Sequence, residues 1–282
     1  MPSGTRRFER YVAIGDSSTE GLDDPDGLGG FRGWANRLAE RIASAQGSLL
    51  YANLGIRGRR TRQILEGQLE PALAMQPDLV TVFSGTNDVV SRGFDPGTVA
   101  RDMETIQRAL IGAGATVLTF TLPDLTPVMP LARWIAPRVH ALNDALRSAA
   151  EASGAILVDF AIYPMASDPR LWSLDRLHAN SAGHARIAAA LADALALPGA
   201  TGDWRAPLPD VTSPALGQRL AAEWTWGRDH LFPWIWRHLR GRSSGDGRQP
   251  KRPRLLPVDP GPLDEAAVAA EEQSGEAPGP VR

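Results

Sequence analysis

The sequence predicts an α/β fold in which helices cover both faces of a parallel sheet of about five strands. Up to residue 200 of the 282-residue chain, short apolar and β-branched runs alternate with segments whose apolar residues recur at helical spacing. Such alternation is typical of parallel strands joined by crossover helices, which form a three-layer α/β/α domain. Catalytic and binding groups of these sheets gather at the carboxyl ends of the strands, so the residues after each strand are the first candidates.

Each element is predicted from its own pattern. The strands are predicted from short, mainly apolar runs, most of them with β-branched residues, at residues 11–14, 49–53, 79–83, 116–121 and 156–159. Amphipathic segments between them predict helices over residues 34–45, 61–75, 98–111 and 135–152. A last helix is predicted after Ser181, whose hydroxyl suits an N-cap.

Composition divides the chain into three parts. Residues 1–200 form the predicted catalytic domain. Residues 201–240 are a linker and a tryptophan-rich segment that contains Trp224, Trp226, Trp234 and Trp236. Residues 241–282 are first basic and then acidic, and they are predicted to be disordered because they contain too few apolar residues to bury.

Composition also excludes several kinds of chemistry. The chain has no cysteine, which excludes disulfides, thiolate metal sites and a cysteine nucleophile. Its net charge of -2 argues against a nucleic-acid-binding protein. It has neither a run of about 18 apolar residues, as a membrane span requires, nor the apolar core of a secretory signal. These features predict a cytoplasmic protein.

The first motif is Gly15-Asp16-Ser17, directly after the first predicted strand. A serine at the tip of a strand lies where a nucleophile would lie, and its main-chain N–H can face a reacting carbonyl. The alternative is a turn in which Asp16 and Ser17 only cap the following helix.

The second motif is Asp175 followed three residues later by His178. A carboxylate at this spacing can bond the imidazole across one turn, which fixes its tautomer and stabilises the imidazolium. The alternative is a surface turn with a solvated Asp and His.

Two further motifs follow strands. The Asn87 amide, in Gly85-Thr86-Asn87-Asp88, can donate to a developing oxyanion, unless it only forms an Asx turn. Gly55 follows the second strand and can present its N–H with no side chain in the way, unless it is only a turn residue.

Together these motifs resemble the SGNH hydrolases, also called GDSL-type esterases and lipases, over about residues 8–197. The resemblance implies the flavodoxin-like fold of that family and a metal-free mechanism without a cofactor. It implies that Ser17 is the nucleophile, His178 the general base and Asp175 its orienting carboxylate. It also implies an oxyanion hole that consists of the Ser17 N–H, the Gly55 N–H and the Asn87 amide. The sequence departs from the family at Ser18, where an apolar residue is commonest.

Three other residues are expected to have supporting roles and not to take part in the reaction directly. Asp16 is expected to be a local structural residue, and Asp88 to hold its loop through main-chain hydrogen bonds. His184 follows His178 at a spacing that does not suit a helical metal pair, so a supporting role at the helix start is favoured. No group of His, Asp and Glu has metal-ligand spacing in the sequence, and no metal is expected.

The function expected from these residues is hydrolysis of a carboxylic ester with a short acyl group, such as acetyl, through an acyl-serine intermediate. Acyl transfer by the same residues is the nearest alternative. A second alternative is an idle module whose C-terminal segment binds a partner or, weakly, a membrane surface. The tryptophans of that segment could instead pack on the catalytic domain or on a second subunit, which is favoured. Substrate identity and oligomeric state stay open.

Overall fold

The protein, described here by a computed structural model over residues 6–209, 226, 228, 245 and 247–259, has one mixed sheet at its centre. Its strand order is β5-β4-β3-β1-β2-β6. Five strands are parallel, as predicted, and β6 runs antiparallel to β2. The strands are β1 (Arg10–Gly15), β2 (Leu50–Asn53), β3 (Leu79–Phe83), β4 (Thr116–Phe120), β5 (Ile156–Val158) and β6 (Arg252–Pro257).

Helices cover both faces of the sheet, which confirms the three-layer prediction. The helices α3, α5 and α6 pack in sequence on one face, whereas α2 packs on α7 on the other. The strand order explains this division. The chain adds β2 on one side of β1 and then β3, β4 and β5 on the other side, so right-handed crossovers place α3, α5 and α6 on the face opposite α2. The helices are α1 (Ser17–Glu20), α2 (Gly33–Gln46), α3 (Thr61–Ala74), α4 (Thr86–Val89), α5 (Pro96–Gly112), α6 (Ala136–Ser153) and α7 (Ser181–Ala194).

The prediction of a disordered tail over residues 241–282 is wrong for β6. This strand pairs with β2 through its main chain, and an edge strand offers such pairing whatever the apolar content of its partner. The basic residues that argued for disorder also find partners. Arg252 Nε donates to the Tyr51 carbonyl at 2.8 Å, and Lys251 Nζ donates to the carbonyls of Phe31 and Arg32 at 2.7 and 2.8 Å. Residues 260–282 lie outside the described residues.

The packed domain extends past the predicted boundary at residue 200. Trp204 is buried, and its ring packs edge-on against Phe160 and Tyr163. Its indole N–H donates to Asp193 at 3.0 Å. The first residues of the predicted linker are therefore part of the core.

Two smaller findings concern the helices. The N-cap of α7 is Asn180, whose side chain accepts a hydrogen bond from the Gly183 N–H at 3.0 Å, so the prediction of Ser181 as the cap is wrong by one residue. Within the described residues, every helix is too short or too polar to cross a membrane.

Candidate active site

The end of β1 is fixed by contacts that only glycine permits. Gly15 has a φ of +153°, and a Cβ there would lie 2.4 Å from the Phe83 carbonyl oxygen. The Gln68 side chain bonds both main-chain groups of Gly15, at 2.8 and 2.9 Å. Asp16 then caps α1 by accepting a hydrogen bond from the Ser18 N–H. The chain therefore delivers Ser17 to the first turn of α1, at the carboxyl edge of the sheet.

The three residues predicted for acyl chemistry lie in one hydrogen-bonded chain. The Ser17 hydroxyl is 2.8 Å from His178 Nε2, and His178 Nδ1 is 2.6 Å from Asp175 Oδ2. With Nδ1–H donating to the carboxylate, Nε2 is left to accept the hydroxyl proton. The structure thus brings together side chains from opposite ends of the domain.

The loop that carries His178 and Asp175 is held by its own polar groups. Asp175 Oδ1 accepts hydrogen bonds from the N–H groups of Leu177, at 2.8 Å, and His178, at 3.0 Å. The Ser173 hydroxyl lies 2.6 Å from the same oxygen. Arg176 turns the chain in a left-handed conformation, with a φ of +61°. The Asp175 carboxylate therefore orients the imidazole and holds the loop together.

Burial and charge act in opposite directions on the pKa values of this pair. Burial alone would lower the pKa of His178, but its hydrogen bond to Asp175 and the charges of Asp175, Asp23 and Asp16 outweigh burial and raise the pKa. Burial alone would raise the pKa of Asp175, but the hydrogen bond and charge of His178 lower it well below its ordinary range. The pair therefore stabilises the imidazolium once His178 has taken a proton, beside an ionised Asp175.

Two of the three predicted oxyanion donors already have acceptors within the protein. The Asn87 amide donates to Asp16 Oδ2 at 3.2 Å and to the Arg59 carbonyl at 3.0 Å, and the Gly55 N–H donates to Asn53 Oδ1 at 2.9 Å. The Ser17 N–H has no acceptor among the described residues, as expected for the first turn of a helix.

Asp16 and Asp88, which were expected to have structural roles, both accept hydrogen bonds from main-chain N–H groups. Asp16 is buried, which raises its pKa to about 7 despite the hydrogen bond from the Ser18 N–H. Asp88 accepts hydrogen bonds from the N–H and the hydroxyl of Thr61, each at 3.0 Å, and so ties its loop to the start of α3. Burial raises the pKa of Asp88.

His184 is buried at the start of α7 and is hydrogen-bonded as a neutral ring. Its Nδ1 accepts from the Trp34 N–H at 3.1 Å, and its Nε2 donates to the Leu22 carbonyl at 2.9 Å. Burial lowers the pKa of His184 to about 4, which keeps the ring neutral near pH 7. His184 therefore joins α7 to the segment after α1 and does not touch the Ser17 hydroxyl.

Sequence reasoning missed Asp23 and Ser173. The Ser173 hydroxyl lies 2.6 Å from Asp23 Oδ2, and that oxygen is 3.8 Å from His178 Nδ1. The one signal in the sequence was position, because Asp23 closely follows the motif that contains Ser17.

Trp226, in the predicted tryptophan-rich segment, is buried against the catalytic loop. Its ring packs with Leu125 and Met129, and its indole N–H donates to the Asp175 carbonyl at 3.2 Å. The guanidinium of Arg176 lies over the ring, 4.6 Å from its centre. At this position the tryptophan packs on the catalytic domain. The other three lie outside the described residues: Trp224, Trp234 and Trp236.

One group of side chains among the described residues could hold a metal ion, namely Asp23, Asp175 and His178. One ligand atom from each lies within 4.8 Å of the other two. The sequence gave no sign of this group because Asp23 is remote from the other two along the chain. Both ring nitrogens of His178 are already used, by Asp175 at 2.6 Å and by Ser17 at 2.8 Å, so the ring offers no lone pair while these contacts persist.

Fold and site define a class of hydrolase, in which a serine follows the first strand of a three-layer domain and an Asp and a His share one late loop. The chain belongs to the GDSL-like lipase/acylhydrolase family, whose model matches residues 13–186. It is 30% identical over 199 residues to a GDSL lipase of Mycobacterium tuberculosis, across 68% of this chain and 83% of that protein.

Solved structures share the fold. A lipase/acylhydrolase from Enterococcus faecalis superposes with a TM-score of 0.55 at 22% identity, across 66% of this chain and 94% of that chain. An acetylxylan esterase from Geobacillus stearothermophilus superposes with a TM-score of 0.58 at 17% identity, across 70% of this chain and 99% of that chain. These structures align along nearly their whole length, whereas the rest of this chain lies outside the alignments.

Proposed function

We propose that this protein is a serine esterase that cleaves carboxylic esters through an acyl-serine intermediate, with Ser17, His178 and Asp175 as its triad. The observation that carries the proposal is the unbroken hydrogen-bonded chain from the Ser17 hydroxyl through both ring nitrogens to Asp175, at 2.8 and 2.6 Å. Membership in a family of lipases and acylhydrolases supports the same chemistry.

In the proposed mechanism His178 Nε2 takes the hydroxyl proton as Ser17 attacks the ester carbonyl carbon. The imidazolium that forms is stabilised by Asp175 and then gives the proton to the leaving alcohol as the carbon–oxygen bond breaks. Water attacks the acyl-serine, His178 takes a proton from that water, and the proton returns to Ser17 as the carboxylic acid leaves.

Three hydrogen-bond donors are proposed to stabilise the negative charge on the carbonyl oxygen. They are the N–H groups of Ser17 and Gly55 and the Asn87 amide. The first has no acceptor among the described residues, so it can bind the oxyanion directly. The other two must share or exchange the acceptors that they now hold. Burial raises the pKa of Asp16 to about 7, and a neutral Asp16 would compete less strongly for the Asn87 amide.

A short acyl group suits the surroundings of the site. The apolar loop after β4 places Leu125 and Met129 in a buried cluster with Trp226, which contacts the Asp175 loop, so a long acyl chain that extended to this side would have to displace packed side chains. Several solved structures with this fold, including one from Geobacillus stearothermophilus, are acetylxylan esterases, which remove acetyl groups.

The test is hydrolysis of a series of p-nitrophenyl esters from acetate to palmitate by wild type, Ser17→Ala and Ser18→Ala. Ser18→Ala is the control. The Ser18 hydroxyl accepts a hydrogen bond from the Trp34 indole N–H at 3.1 Å, so this variant removes a hydroxyl next to Ser17 that has no proposed part in the reaction. We expect the highest kcat/KM on acetate or butyrate, a loss of about 10⁶ in kcat for Ser17→Ala, and activity near wild type for Ser18→Ala.

Each result of that series has a defined meaning. Wild-type rates in Ser17→Ala would refute the triad, and a maximum at palmitate would refute the short acyl group. No hydrolysis of any ester by wild type would favour an idle module. Faster release of p-nitrophenol with added alcohol, together with a new ester product, would assign acyl transfer to the same residues.

A further inference from the structure

We propose that Asp23 is a second carboxylate of the acid–base half of the site, which positions Asp175 through Ser173 and stabilises the imidazolium of His178 by its charge. The inference rests on the proposed esterase mechanism and deepens it. No part of the family motif that identified Ser17, Asp175 and His178 contains this residue.

The backbone holds Asp23 in a conformation that a non-glycine residue rarely adopts. Its φ is +65°, in the left-handed region. The neighbouring residue explains why this conformation persists. The Asp24 carboxylate accepts from the Gly33 N–H at 2.9 Å and is bound by two nitrogens of the Arg37 guanidinium, each at 2.8 Å. Asp24 therefore anchors the turn in the interior, and the turn directs Asp23 to the catalytic loop.

Ser173 links the two carboxylates. Its oxygen lies 2.6 Å from Asp23 Oδ2 and 2.6 Å from Asp175 Oδ1. A serine hydroxyl has a single proton, so it can donate to only one of the two at a time. The arrangement places two carboxylates around one hydroxyl proton and one imidazole. When the imidazole becomes a cation, its attraction to both carboxylates offsets the repulsion between them.

This change in charge occurs during the reaction. In the proposed mechanism His178 acts as a base in its neutral form and becomes positive when it takes the Ser17 proton. Asp23 Oδ2 is 3.8 Å from Nδ1, close enough to favour the positive form without forming the hydrogen bond that Asp175 makes. The attraction between Asp23 and His178 is stronger after proton transfer than before it. It therefore stabilises the transition state more than the ground state and lowers the activation barrier of the acylation step.

The ionisable groups that face His178 come from four places. Asp175 is on its own loop, Asp23 follows α1, Asp16 ends β1, and the neutral ring of His184 begins α7. Removing the negative charge of Asp23 should lower the pKa of His178. The neutral, base form would then persist to lower pH, and the acid limb of kcat/KM would move to lower pH.

The test compares Asp23→Asn with Asp26→Asn. Asp26 lies in the same segment and its substitution changes the charge equally, but its carboxylate accepts from the N–H groups of Leu28 and Gly30. We would titrate the His178 ring by NMR, assigned with His178→Gln, and measure kcat/KM for p-nitrophenyl acetate against pH. We expect both the ring pKa and the acid limb to fall by about half a unit or more in Asp23→Asn alone.

A second variant separates catalysis from folding. Asp23→Gly removes the carboxylate and also the strain of the left-handed conformation, so it should unfold at the same temperature as wild type or higher. It should still show the lowered His178 pKa and the shifted acid limb. A purely structural Asp23 predicts the wild-type His178 pKa in this variant.

Three results would overturn the inference. The first is an unchanged His178 pKa in both Asp23 variants. The second is an equal shift in Asp26→Asn, which would make the effect one of general charge. The third is loss of wild-type activity on treatment with EDTA, restored by a divalent cation in wild type but not in Asp23→Asn, which would make Asp23 a metal ligand. The NMR titration needs no substrate, so this inference can fail or stand separately from the esterase proposal, which Ser17→Ala tests.

Discussion

The two sides of the proposed catalytic site are built in different ways. On the nucleophile side, Ser17, Gly55 and Asn87 lie within a few residues of the ends of β1, β2 and β3, so the register of these strands sets their positions. The acid–base side is the segment between β5 and α7, in which three short 3-10 turns are followed by a loop that is closed by an isolated bridge between Trp172 and Ala179.

That loop depends on contacts from parts of the chain that are remote in sequence. Asp23 reaches it from the segment after α1, and Trp226 reaches it from beyond the packed domain. Sheet topology therefore fixes the proposed nucleophile, whereas side-chain hydrogen bonds fix the proposed base. We expect substitutions on the acid–base side to alter pH dependence and loop geometry as well as kcat, and those on the nucleophile side to alter kcat alone.

Asp175→Asn should have the largest effect among substitutions outside Ser17 and His178. The amide cannot stabilise the imidazolium and favours the wrong tautomer, so kcat should fall by about 10⁴. The matched control is Asp168→Asn, which also caps a turn through its carboxylate, at 2.9 Å from the Arg170 N–H. Steady-state kinetics on p-nitrophenyl acetate test this, and a loss below tenfold would contradict the proposed role of Asp175.

Asn87→Ala tests the nucleophile side. Loss of one oxyanion donor typically reduces kcat by about 10²–10³, and KM should change little because the charge develops only in the transition state. Asn36→Ala is the control, because its side chain only accepts the Tyr51 hydroxyl at 2.8 Å. An Asn87→Ala enzyme with wild-type kcat would show that its bonds to Asp16 and Arg59 are purely structural.

Gly183→Ala tests how closely α7 must approach the catalytic loop. A Cβ there would lie 2.2 Å from the Leu171 carbonyl oxygen, so the helix start must move, at a cost of about 1–3 kcal/mol in unfolding free energy. Gly67→Ala is the matched control, because it lies within α3 with nothing within 4 Å and should stabilise the protein by about 0.5–1 kcal/mol. Urea denaturation of both variants measures the contrast, and equal stabilities would contradict the close approach.

Trp226→Phe should have the smallest effect. It keeps the ring in its apolar cluster and removes the N–H that donates to the Asp175 carbonyl, a bond worth about 1 kcal/mol, or about fivefold in kcat/KM. Trp134→Phe is the control, because that side chain is 74% exposed. Identical kinetics in the two variants would show that Trp226 packs beside the loop without positioning it.

This contrast also explains what the sequence could predict. The five parallel strands were found because each is a short, mainly apolar run, most of them with β-branched residues, and those signals are local. The strand-end residues Ser17, Gly55 and Asn87 could be proposed for the same reason. In the late loop, Asp175 and His178 could be proposed because they lie within one turn of each other.

Interactions between segments that are remote in sequence were not predictable. No local sequence pattern indicates that Asp23 and Asp175 both contact the Ser173 hydroxyl, or that the Asn87 amide donates to Asp16. β6 was missed because its residues are basic and Pro-containing, and its pairing with β2 uses main-chain groups that carry no sequence signal. The cytoplasmic location and the disorder of residues 260–282 stay predictions.

The most direct test of the account is covalent labelling of the native protein with a fluorophosphonate, followed by mass-spectrometric mapping of the adduct. Only a serine activated by a neighbouring base reacts rapidly with such a probe. The account predicts one adduct per chain, on the peptide that contains Ser17, at a rate that falls with the protonation of His178 at low pH. An adduct on another residue, or ester hydrolysis that continues undiminished without any adduct at Ser17, would contradict it.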